Sequence, residues 1–139
     1  MINAAKVIIS ATCVALASAA LASEQRVPAT VLSVYDGDTI TVEARIWPGL
    51  TWTGRVRVRG VDTPEIRGKC AAEKAAAIAA RDFVRDAVGD AVTLAGVAHG
   101  KYAGRVVADV VLSDGRNLAT VLIEAGYAPY EGGQRRGWC

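Results

Sequence analysis

Apolar and polar positions alternate along residues 27–61, take a helical period over 71–88, and alternate again beyond 91. Val27 to Tyr35 predicts a strand, with Ala29, Val31 and Ser33 on one face and Thr30, Leu32 and Val34 on the other. Asp36-Gly37 is a hairpin turn signal, and Thr39 to Arg45 predicts the returning strand. Trp47-Pro48-Gly49 breaks it. A third strand is predicted from Thr51 to Val61, with Arg55, Arg57 and Arg59 on one face and Val56 and Val58 on the other. Ala71 to Val88 predicts a helix with Ala76, Ala80, Phe83 and Ala87 as its inward stripe, stopped by Gly89. Ala91–Gly96 and Arg105–Leu112 predict two further strands, the latter with Val106, Ala108, Val110 and Leu112 on one face. Asn117 is placed to cap a short last helix that turns Leu118, Val121 and Leu122 inward and ends at Gly126. The order β-β-β-α-β-β-α predicts an α+β, mainly β domain: a five-stranded OB-fold barrel with packed helices. Fold alone does not license a function.

The first 22 residues stand apart. Residues 1–6 form a short, weakly basic start, Val7 to Ala19 is almost wholly apolar, and Ala20-Leu21-Ala22 has the small residues that a signal peptidase accepts. The expectation is a signal peptide over 1–22 and one domain over 23–139, secreted or periplasmic, with no stable membrane association after cleavage. The competing reading, an uncleaved anchor, fits the short apolar run less well. Without Lys6 the balance is 15 basic against 14 acidic residues. That excludes coating of nucleic acid by bulk charge, so any phosphate binding must be local. Cys70 and Cys139 are the cysteines left after cleavage, and in an oxidising compartment a disulfide between them is expected. Two cysteines and one histidine make no recognisable zinc set.

The candidate chemistry lies in acidic and basic residues that interleave. Asp36-Gly37-Asp38-Thr39 is followed by Arg57, then Asp62-Thr63-Pro64-Glu65, then Arg105. Carboxylates hold hard cations, and guanidinium groups grip phosphate. Taken alone, Asp36 and Asp38 are better explained as turn residues. An EF-hand is excluded, because Ile40 and Ile46 stand where that loop needs ligand or turn residues. On a solvated strand, Arg55 and Arg59 are ordinary, whereas Arg57 has Asp62 and Glu65 for company. Proline extends the residue before it, so Thr63 can present its carbonyl to a cation. Lys101 can meet a phosphate and Tyr102 can stack on a base or sugar, although both also suit a plain exposed loop. His99 is read as a solvated loop residue. Neither a nucleotide-gripping glycine loop nor a serine elbow is present.

In this order and spacing the motifs resemble the staphylococcal nuclease family, over about Val27 to Tyr127. Asp36-Gly37-Asp38-Thr39 and the run Arg57 to Glu65 match without gaps. The Lys101-Tyr102-Ala103-Gly104-Arg105 loop carries an extra Ala103. The resemblance implies calcium held by Asp38, Asp62 and the Thr63 carbonyl, Glu65 as general base, and Arg57 and Arg105 on the scissile phosphate. It implies a monomeric endonuclease acting on DNA and RNA, preferring single strands and leaving 3′-phosphate ends. Tyr130 is the candidate for a substrate-packing tyrosine. The family's lysine-rich C-terminal helix has no counterpart, and Cys70–Cys139 is expected to tie the tail in its stead. Two other classes compete: a catalytically silent OB module that binds nucleic acid or protein, and a calcium-stabilised envelope protein. The first typically lacks the metal carboxylates or the glutamate, and here all are present.

Overall fold

A computed structural model describes residues 24–129 and 137–139. The elements run β1 (Arg26–Asp36), β2 (Thr39–Trp47), β3 (Leu50–Val58), α1 (Ala71–Val88), β4 (Ala91–His99), β5 (Arg105–Val111) and α2 (Leu118–Glu124). The five strands close into a barrel in the order β1-β2-β3-β5-β4. All neighbours are antiparallel except β3 and β5, which run parallel. This is the OB-fold barrel that the sequence predicts. The expected signal peptide, residues 1–22, lies outside the described residues. Among the described residues, no helix is long and apolar enough to cross a bilayer.

The barrel interior is filled by Ile40, Val42, Val56, Val58, Leu94 and Val110, all nearly or fully buried. Leu118 and Leu122 of α2 and Val84 of α1 join the same core. α2 begins as predicted, with the Asn117 side chain accepting a hydrogen bond from the Ala119 N–H at 2.8 Å.

Three local expectations are corrected. In β1, Val31 pairs with Val42 and Ser33 with Thr41, which leaves Leu32 as an extra residue. That bulge reverses the alternation, so Ala29 and Val34 both point inward and Ser33 is exposed. In α1 the buried line is Glu73, Ala77, Ala80, Val84 and Val88. Ala76, Phe83 and Ala87 only flank it. Placing the stripe on apolar residues alone could not include a buried glutamate at its head. Third, β3 ends at Val58, not Val61, and Arg59 lies beyond it. Arg59 is not a solvated strand residue. It pairs with Asp109 at 2.7 Å and donates to the carbonyl of Gly96. Gly96 has φ 57°, and a Cβ there would lie 2.8 Å from the Arg59 Nη1, so a glycine at this irregularity of β4 lets the guanidinium in.

Cys70 and Cys139 close the structure at the head of α1. Their sulfur atoms lie 2.12 Å apart, with Cα atoms separated by 6.0 Å. Cys70 is also the N-cap of α1, its sulfur accepting from the Glu73 N–H at 3.4 Å.

Candidate active site

The site forms where the β1–β2 turn, the segment after β3 and the loop before β5 meet on the outer side of the barrel. Inward Val56 and Val58 turn Arg55 and Arg57 outward on β3. Thr39 pairs with Arg57 across β2 and β3, and Arg105 pairs with Arg55 across β3 and β5. The strand register thus brings three distant stretches of chain to one cleft of about 520 Å³.

Asp38 is the best-fixed group. It is buried, and its Oδ1 accepts from the Thr39 hydroxyl at 3.0 Å. Its Oδ2 accepts from the Thr63 N–H at 2.9 Å and meets Nη1 of Arg57. Its backbone carbonyl accepts from the Val58 N–H at 2.8 Å. The turn is therefore tied both to the end of β3 and to the segment that carries Asp62. Gly37 permits this approach: a Cβ there would fall 2.8 Å from Cγ2 of Thr63. Arg57 also donates through Nη2 to Oδ1 of Asp62 at 3.1 Å, so one guanidinium bridges both carboxylates. Asp36 serves the turn by accepting from the Asp38 N–H at 3.2 Å. Its burial, then the negative charge of Asp38, pushes the Asp36 carboxyl up to about 7.

This donor set fits a hard cation. Asp38 and Asp62 converge closely enough to share Arg57. Asp36 and Asp38 are both buried, and positive charge near such a cluster offsets the cost of ionising it. Thr63 is fully buried beneath the acids, and its hydroxyl oxygen has no hydrogen-bond partner among the described residues. Among those residues, the one tight set of three acidic or sulfur groups is Cys70, Glu73 and Cys139. Bonded sulfurs are not thiolate ligands, and Glu73 already serves backbone N–H groups, so that cluster is structural. The carboxylates of Asp38, Asp62 and Glu65 line one cleft without forming so tight a set.

Glu65 is exposed and lines the cleft. Its place depends on Glu73, which sequence reasoning missed. Oε2 of the buried Glu73 accepts from the Lys69 N–H at 2.9 Å, and Oε1 lies 3.5 Å from the Glu65 nitrogen. The Glu65 carbonyl accepts from the Gly68 N–H at 2.8 Å. Glu73 thus anchors the loop that presents Glu65, and the Cys139 sulfur lies 3.8 Å from it.

The basic side is built differently. The Gly100 N–H donates to the Arg105 carbonyl at 2.9 Å, and the Arg105 N–H donates to the Tyr102 carbonyl at 3.2 Å. These bonds close the loop, extra Ala103 included. The Arg105 guanidinium lies 4.8 Å from the centroid of the Tyr102 ring, and the Lys101 amine 5.7 Å from it. Arg105 has no ion pair among the described residues, and its Nε is buried without a hydrogen-bond partner. Lys101, Tyr102 and Arg105 all line the same cleft as the acids. His99 is exposed and does not line it. Tyr130 lies outside the described residues. Tyr35, Arg55 and Arg67 also line the cleft, and sequence reasoning gave none of them a role.

Carboxylates, and cations that have no carboxylate partner among the described residues, thus line one cleft of an OB-fold barrel. The chain belongs to the staphylococcal nuclease family: the model for staphylococcal nuclease homologues matches residues 55–136. That match begins on β3, and the fold adds Asp38, which lies before it in sequence. No curated protein matches the chain.

Proposed function

We propose that the protein is a calcium-dependent endonuclease, exported to the periplasm or the exterior, that hydrolyses phosphodiester bonds in DNA and RNA. It acts as a monomer, prefers single strands and leaves 3′-phosphate ends. The observation that carries this reading is the bridge from Arg57 to both Asp38 and Asp62 in the cleft that Glu65 and Arg105 also line.

Asp38, Asp62 and the Thr63 carbonyl would hold the ion. Calcium, when bound, supplies positive charge beside the phosphate and polarises water. Glu65 orients the attacking water and accepts its proton as the oxygen adds to phosphorus. The bond from phosphorus to the 5′-oxygen breaks, giving a 5′-hydroxyl once that oxygen gains a proton, with help from Arg105. Arg57 and Arg105 stabilise the added negative charge of the pentacoordinate transition state. Lys101 and Tyr102 hold the neighbouring phosphate and base, and Tyr130 is assigned to the same substrate-packing role. In the oxidising compartment the Cys70–Cys139 bond fixes the tail; closing a loop with a sequence separation of 69 contributes about 4 kcal/mol in the chain-entropy account.

The test is incubation of the mature protein with single-stranded DNA, in calcium and then in excess chelator, beside Glu65→Gln. Cutting is expected in calcium, absent in chelator and lower by orders of magnitude in the variant. Full activity in chelator contradicts the metal role.

A further inference from the structure

Arg55, Arg57 and Arg59 follow one another at every second position, yet they meet three different environments. Arg59 is neutralised by Asp109, and Arg57 by Asp38 and Asp62. Arg55 has no carboxylate partner among the described residues; it is exposed and lines the cleft. Its guanidinium lies 5.6 Å from the ring centroid of Tyr35, which is also exposed and also lines the cleft. The bulge at Leu32 turns Val34 inward, and ordinary alternation then leaves Tyr35 outside the barrel. The result repeats the arrangement at Tyr102, where Arg105 lies over the ring. Two guanidinium–tyrosine pairs therefore line the cleft with Arg57, side by side, since Arg55 is the β3 partner of Arg105.

We propose that Tyr35 and Arg55 form a second nucleotide subsite, in which Arg55 takes the phosphate next to the scissile one and Tyr35 stacks on the adjoining base. The inference rests on the nuclease reading and adds a substrate requirement to it: a further phosphate and base beyond those that Lys101 and Tyr102 hold. Arg55 and Arg57 share a strand face two residues apart, roughly 6.5 Å along the strand. That step suits successive phosphates of an extended single strand. Arg55 is also the direct β3 partner of Arg105, so its cation sits beside the proposed scissile position. A tyrosine face accepts any unpaired base, whereas a paired base has both faces already stacked. This gives the preference for single strands a physical cause within the chain.

The experiment compares wild type, Arg55→Ala, Arg55→Lys, Tyr35→Leu and Tyr35→Phe, each first checked for an unchanged melting temperature. Two substrates are used in calcium: a single-stranded DNA 12-mer, and thymidine 5′-(4-nitrophenyl phosphate), which has one phosphodiester and one base. Arg55→Ala and Tyr35→Leu are expected to raise KM for the 12-mer about tenfold with kcat little changed, and to act less than about twofold on the small ester. Arg55→Ala should also lower the salt slope of 12-mer binding, read by fluorescence anisotropy, by about 0.7. Tyr35→Phe keeps most of the 12-mer affinity and Arg55→Lys part of it. Equal effects on both substrates, or none on the 12-mer, overturn the subsite. If wild type cuts neither substrate, the nuclease reading fails by itself. The anisotropy comparison then still decides the subsite, because equal 12-mer binding by wild type and Arg55→Ala refutes it.

Discussion

The two walls of the cleft are held by different physics. The acidic wall is anchored by buried Asp36 and Asp38 and by directional bonds: Asp38 alone engages Thr39, Thr63, Arg57 and the Val58 N–H. The basic wall is more open. Lys101, Tyr102, Tyr35 and Arg55 are exposed, and two guanidinium groups rest on aromatic faces rather than on carboxylates. On the proposed function, folding fixes the half that would hold the ion and leaves the other half to be completed by a phosphate. Cations without carboxylate partners can bind phosphate without first breaking an ion pair, whereas Arg57 must share itself between acids and substrate.

The contrast can be broken one side at a time. Asp38→Asn should have the largest effect, lowering cleavage of single-stranded DNA by about a thousandfold or more and weakening calcium binding in a calorimetric titration. Unchanged calcium affinity in that variant would remove Asp38 from the ligand set. Glu65→Gln should cost about 10²–10⁴ in kcat while calcium affinity stays near wild type. A parallel loss of calcium binding would make Glu65 a ligand rather than a base. Arg105→Ala should cost about 10²–10³ in kcat, near 3 kcal/mol of transition-state stabilisation, with melting temperature little changed.

Glu73→Gln sharpens the comparison from beneath. It removes an acceptor for the Lys69 N–H and weakens the anchor of the Glu65 loop. We expect a loss of about 1–3 kcal/mol of stability and about a tenfold drop in kcat. Amide hydrogen exchange should rise over residues 65–69 and stay unchanged in the β1–β2 turn. Exchange that rises evenly over the whole chain would reduce Glu73 to a general stability role.

The acidic wall was the more legible half because it is encoded locally. Asp36 to Thr39 and Asp62 to Glu65 are contiguous runs, and short connections between β1, β2 and β3 bring them together. The barrel order was legible from alternation and turn residues for the same reason. What remained hidden depends on register. A bulge at Leu32 reverses the faces of β1 and so leaves Tyr35 outside, within 5.6 Å of Arg55, yet neither Leu32 nor Tyr35 is unusual for a strand. Arg55 and Arg59 look alike in sequence and differ only because Asp109, on another strand, reaches one of them. Glu73 was missed because a glutamate in the first turn of a helix reads as a solvated complement to the helix dipole. Only the returning loop of residues 65–69 makes it a buried anchor.

The central claim is that both walls act on one phosphate, so ion and nucleic acid must bind cooperatively. Calcium affinity of Glu65→Gln, measured by calorimetry with and without a single-stranded oligonucleotide, tests this most directly. The account predicts tighter calcium binding when the strand is present, an equal factor for the strand when calcium is present, and loss of that coupling on adding Arg105→Ala. Identical calcium affinity with and without the strand would contradict it.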